Sequence, residues 1–90
     1  MMKYHKIKIL PEYYNAIDSG RKTFEVRFND RNYQVDDILL LQEWVDGQYT
    51  GRELEAAITY LLDNPHYCKE GYVIMAINRL YNNYDGEWTP

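Results

Sequence analysis

The chain has 90 residues, 46% of them apolar and 27% charged, with a formal net charge of −4. That length supports one small core and no second domain, and the composition is that of a folded globular protein. The acidic balance argues against a general nucleic-acid coat protein, no apolar run approaches the roughly 18 residues a membrane span needs, and the lone Cys68 excludes an intrachain disulfide or a cysteine-rich zinc site.

The first ten residues, MMKYHKIKIL, hold lysines but no apolar stretch or small-residue cleavage site of a signal peptide, so a cytoplasmic location is expected. HKIKI at 5–9 alternates polar and apolar residues, as a half-buried strand does. In LPEYYNAIDSG, Leu10, Tyr13, Tyr14 and Ile17 recur at the spacing of one helical face. Pro11 suits the first helical position, Glu12 the positive end of the helix, and Gly20 the left-handed residue beyond its end. KTFEVRF then alternates strictly, with Phe24, Val26 and Phe28 on one face and Thr23, Glu25 and Arg27 on the other.

NDRN at 29–32 and VDD at 35–37 are turn chemistry, with Asp36 and Asp37 shaping a corner. ILLLQEWV reads as an apolar strand, and Asp46-Gly47 as the turn into the next one. RELEAAITYLL is rich in helix formers, yet Leu54, Ala56, Ile58, Tyr60 and Leu62 alternate, which predicts a strand. Asn64-Pro65 opens a loop reaching Gly71, and YVIMAI is a buried strand. The expected architecture is mainly β with a short helix (α+β): a small β-barrel with the helix at one end, a single domain over 1–80 and an aromatic tail over 81–90. Charge is unevenly spread. Residues 1–31 carry seven basic and four acidic side chains, and the remainder three and ten, which predicts an anion-friendly N-terminal part.

The stretch GRKTFEVR resembles the G-x-K-x-x-E-x-R signature of the ASCH superfamily, whose domains are small barrels similar to the PUA domain of RNA-modifying enzymes; Gly20, Lys22, Glu25 and Arg27 carry the match. NDRNYQVDDILLLQEW, DGQYTGRELEAAITYLL and KEGYVIMAI extend the likeness, which points to the short bacterial and phage branch of that superfamily, largely unassigned in function. The resemblance implies a cleft where the helix end meets the first long strand, and an RNA or nucleotide-like ligand in it. One branch hydrolyses acetylated cytidine with a lysine and a threonine of this motif. Lys22 matches the lysine, but Glu25 stands at the threonine position, and Glu70 has no matching motif around it.

On the residues themselves, Glu25 and Arg27 project from the same strand face, where the carboxylate could fix the guanidinium for two-pronged contact with a phosphate. Lys22 begins the strand and would supply a mobile ammonium; it is the catalytic candidate if the protein is an enzyme. Tyr33 and Trp44 are candidate stacking platforms for an unpaired base. His5 and His66 lack a third ligand and Cys68 an orienting acid, so neither a metal nor any cofactor is expected, and a Cys-His nucleophile is not indicated. Three functions follow: an RNA- or nucleotide-binding module, a hydrolase of a modified nucleoside or RNA, and a module that binds another protein through an acidic surface, which an exposed patch around Trp44 and the aromatic tail would support. The balance favours binding over catalysis.

Overall fold

A computed structural model describes residues 2–81, so the expected tail lies outside the described residues beyond Tyr81. The chain forms β1 (Tyr4–Ile9), α1 (Pro11–Asp18), β2 (Phe24–Phe28), β3 (Ile38–Val45), β4 (Gln48–Leu62) and β5 (Tyr72–Leu80). The strands make one curled sheet in the order β1-β3-β4-β5-β2, a half-barrel in shape. β1 pairs with β3 in parallel, and the other pairings are antiparallel. Strand β1 and strand β2 are thus the two edges, and two arginines link them. Arg27 Nη2 donates to the Lys8 carbonyl at 2.8 Å and Arg31 Nη1 to the Lys6 carbonyl at 2.5 Å. Side chains bridge this seam where backbone pairing would have closed the barrel.

The core fills the concave face. Ile7 and Ile9 from β1, Leu39 and Leu41 from β3, Leu54, Ala56 and Ile58 from β4, and Val73, Met75 and Ile77 from β5 are buried together with Tyr14 and Ile17 of the helix. Asp46 and Gly47 both take positive φ (51° and 84°), which gives the β3–β4 hairpin its tight two-residue turn. In β4 the alternation holds only as far as Ile58. A register shift between Ile58 and Tyr60 inserts a bulge, which turns Tyr60 outward and packs Leu61 against the core. The sequence pattern had placed Tyr60 and Leu62 on the same face as Leu54.

The helix end follows its sequence closely. Gly20 sits at φ +83°, its N–H donates to the Ile17 carbonyl, and the Arg21 N–H donates to the Ala16 carbonyl, so both bonds of a Schellman cap are present. Ala16 also accepts the Lys22 N–H at 3.0 Å, which fixes the backbone from which the Lys22 side chain departs. Arg79 on β5 donates twice to Asp18 Oδ1 and ties this end of the helix to the sheet. The apolar stripe of the helix divides: Tyr14 and Ile17 enter the core, while Leu10 and Tyr13 stay exposed.

A second polar anchor closes the corner before β3. The buried Asp37 carboxylate accepts from His5 Nε2 at 2.8 Å and from the Lys3 and Gln34 backbone N–H groups at 3.0 Å. Burial pushes the Asp37 carboxyl up, but these three donors outweigh it and hold it below its ordinary value. Tyr33 packs edge-on against the His5 ring, with centroids 4.8 Å apart. Among the described residues, no helix is long and apolar enough to cross a membrane.

Candidate functional site

Strand β2 is inside out. Its charged face points into the half-barrel, where Glu25 is only 4% exposed, while Phe24, Val26 and Phe28 stand 45%, 48% and 55% exposed on the outside. Burying a carboxylate in preference to three large apolar side chains costs free energy unless the charge is met by donors. Both oxygens are met. Glu25 Oε1 accepts from Lys22 Nζ at 2.5 Å, and Oε2 accepts from Arg27 Nε at 2.8 Å. Lys22 Nζ also donates to the Phe24 carbonyl at 2.7 Å. The three residues of the charged signature are therefore one hydrogen-bonded cluster, with the carboxylate in the middle and a cation on either side.

The cluster lines an open cleft of about 610 Å³ that runs along the unpaired edge of β2. One wall is Lys8, Ile9 and Leu10 at the end of β1, with Tyr13 from the helix; the other is Lys22 and β2 itself, with Tyr72 behind it. Cations and aromatic rings alternate around the rim. Lys22 Nζ lies 4.8 Å from the centroid of Phe24 and 5.6 Å from that of Tyr13. One carboxylate and three cations, Lys8, Lys22 and Arg27, leave the lining with a positive excess suited to an anionic group.

Not every residue singled out in the sequence reaches this cleft. Gly20 is the helix cap that aims Lys22; an added Cβ there would meet nothing within 4 Å, so its role is conformational. Tyr33, expected as a stacking platform, is 2% exposed and belongs to the core against His5. Burial raises the Tyr33 hydroxyl above its ordinary pKa. A ring with both faces packed cannot receive a base. Trp44 lies outside the cleft lining and touches it through Lys8, whose Nζ sits 3.9 Å above the indole, with Tyr49 edge-on to the same ring at 4.8 Å.

The sequence reading passed over Lys8, Leu10 and Tyr13. Lys8 had a usable signal, since its outward position at the end of β1 lies just before the helix that precedes the signature. A second charged assembly also went unnoticed. Glu43 on β3 is gripped by Arg52 of β4 through Nε at 3.1 Å and Nη2 at 2.9 Å, and Thr50 Oγ1 donates to it at 2.7 Å. Arg52 Nη2 reaches Asn15 at 2.7 Å, and the guanidinium stacks 4.2 Å from the Tyr14 ring. The Arg52 and Thr50 donors hold the Glu43 carboxyl below its ordinary pKa. This assembly fastens the helix to the hairpin. Among the described residues, no cluster of three or more potential metal ligands occurs.

Two comparisons bear on kinship. A family model described as "Domain of unknown function (DUF3850)" matches residues 4–77. The chain is also 41% identical over 75 residues to a protein of Escherichia phage P2 described as "Uncharacterized 12.9 kDa protein in GpA 3'region", a match covering 83% of this chain and 68% of that one.

Proposed function

We propose the following for a chain that belongs to the DUF3850 family: it is an ASCH-like, PUA-related module that binds single-stranded RNA or a nucleotide-like ligand in the cleft along β2. The observation that supports this most is the convergence of Lys22, Glu25 and Arg27 on one concave surface beside exposed aromatic rings. Phosphate is the natural partner of the cations, since a guanidinium held at Nε by Glu25 and at Nη2 by the Lys8 carbonyl presents its Nη1 group in a fixed plane. Tyr13, Phe24 and Phe28 supply faces for a base, a contact that contributes about 1–3 kcal/mol per base in single-strand binders. The volume of about 610 Å³ is of the size that holds one small ligand, roughly 300–1,000 Å³. It therefore suits one nucleotide unit better than a long track.

The hydrolase reading is weaker on the same geometry. Lys22 Nζ is already engaged by a carboxylate and a backbone carbonyl, so a role as nucleophile or base would require it to leave both partners. Lys22 acts here as a fixed cation.

The test is fluorescence anisotropy with a short labelled oligoribonucleotide over a salt series. Two phosphate contacts predict a log–log slope of about −1.4, from about −0.7 per contact on a single strand. Lys22→Ala with Arg27→Ala, made together with Glu25→Gln so that no buried carboxylate is left without its donors, should abolish binding while thermal melting confirms a folded protein. Binding that ignores salt, or that survives the combined substitution, overturns the proposal.

A further inference from the structure

We infer that the β2 cleft is the first of two adjoining subsites, and that a second pocket, between β2, β5 and the loop after β4, takes the next nucleotide of a single strand. Tyr67 stacks the second base there, and Lys69 meets the second phosphate. This second subsite rests on the nucleotide reading of the cleft and adds to it the length of strand recognised.

The second pocket has a volume of about 360 Å³ and is lined by Val26, Tyr67, Cys68, Lys69, Tyr72 and Ile74. Val26 and Tyr72 also line the cleft, so the two depressions share a wall. Val26 lies opposite Ile74 and Phe28 opposite Tyr72 on neighbouring strands. The step from one depression to the other is therefore a single strand spacing, about 4.8 Å. A strand of nucleotides leaving the cleft on this side crosses the exposed apolar face of β2, where Tyr72 stands edge-on to Phe28 at 5.5 Å. The outward turn of that face gives the bases an apolar path between the two subsites.

Charge sets what the second pocket receives. In the cleft, Lys22 and Arg27 share the Glu25 carboxylate, so the cluster keeps one net positive charge and answers one phosphate. Lys69 forms no ion pair among the described residues, and its Nζ lies 5.6 Å from the centroid of Tyr72. It is the cation left for a second phosphate. Tyr67 is 75% exposed beside it, a ring open to stacking in the way that the buried Tyr33 is not. The loop that carries both residues is held by its own hydrogen bonds. The Tyr67 and Cys68 N–H groups donate to the Asn64 carbonyl at 2.9 Å, His66 N–H donates to Asn64 Oδ1 at 2.8 Å, and Cys68 Sγ donates to the Leu62 carbonyl at 3.2 Å. A rim ordered before the ligand arrives loses little freedom on binding.

The experiment is calorimetric titration of the full chain with adenosine monophosphate (AMP) and with pApA, the dinucleotide bearing the same terminal phosphate. At low salt pApA should bind about tenfold or more tightly than AMP, from one further stack and one further phosphate. Its log–log salt slope should be steeper by about 0.7. Tyr67→Ala and Lys69→Ala, both at exposed positions outside the cleft, should each remove most of that advantage and leave AMP affinity unchanged. Lys69→Ala should also remove the added slope. Cys68, the only cysteine, gives an independent signal, since pApA should slow its alkylation by iodoacetamide and saturating AMP should not. If AMP binds and pApA gains nothing, or the gain survives both substitutions, or Cys68 reacts at one rate with either ligand, the second subsite is overturned and the cleft reading stands. If neither ligand binds, the nucleotide reading falls and the second subsite with it.

Discussion

Glu25→Gln isolates what the buried carboxylate does. The substitution keeps the shape of the side chain and removes its charge. In the wild type, one oxygen accepts from Lys22 at 2.5 Å and the other from Arg27 at 2.8 Å. A hydrogen bond to a charged group contributes about 1.5–3 kcal/mol. The Lys22 and Arg27 side chains are 16% and 28% exposed, so solvent screens both pairs and the lower end of that range applies. Glutamine keeps one acceptor but turns an NH2 donor toward the other cation, and two cations are left side by side. The expected loss is about 2–4 kcal/mol, a large part of the roughly 5–15 kcal/mol available to a domain. At about 4–8 °C per kcal/mol for a chain of this size, the melting temperature should fall by roughly 10–25 °C. Urea denaturation at neutral pH gives the free energy and calorimetry the midpoint. The same variant, studied where it is still folded, should bind an anionic oligonucleotide at least as tightly as wild type at low salt, because the charge that neutralises the two cations is gone and one of them loses its acceptor. A loss below about 0.5 kcal/mol would refute the reasoning, since it would mean that this buried charge is not held by its two partners.

Three further outcomes follow from particular residues. Gly20→Ala forces a side chain into a left-handed conformation at φ +83° and should cost about 1–2 kcal/mol by denaturant titration, although there is space for the methyl group. Asp37 is more acidic in the fold than the ordinary value of 3.8, so its stabilisation is present above about pH 4 and is lost as the pH falls through its lower folded value. Asp37→Asn should therefore flatten the acid limb of the stability–pH curve below about pH 4, as well as lowering stability at neutral pH. Tyr33→Ala, which empties a core position, should destabilise by about 3–5 kcal/mol while leaving ligand affinity unchanged in the folded fraction. A large affinity loss with little change in melting would return Tyr33 to the list of ligand contacts.

Much of the architecture could be read locally. The Gly20 cap, the Asp46-Gly47 turn and the strand nature of β4 each depend on residues near one another in sequence, where conformational preference and periodicity act directly. What was hidden depends on tertiary placement. Alternation in KTFEVRF separates two faces but does not say which one is buried, and here the charged face turns inward because Lys22 and Arg27 satisfy Glu25. The bulge after Ile58 reverses the parity of β4 without any glycine to mark it. Leu10 and Tyr13 share a helical stripe with Tyr14 and Ile17, yet the seam between β1 and β2 leaves the first two outside. The Glu43–Arg52 grip and the Arg31–Lys6 bridge join residues that only the folded sheet brings together. The charged signature was legible as a cluster and the resemblance implied a cleft beside it, but the facing wall was not legible, since Lys8 and Tyr13 enter from other elements.

The most direct test is amide chemical-shift mapping of the isotope-labelled chain during titration with a short single-stranded RNA, and with a mononucleotide in parallel. Shifts concentrated on Lys8, Tyr13, Lys22 to Phe28 and Tyr72 are expected, saturating with a common affinity. Shifts centred on the Glu43–Arg52 assembly, or a spectrum left unchanged by both ligands, would contradict the assignment of the β2 cleft as the binding site.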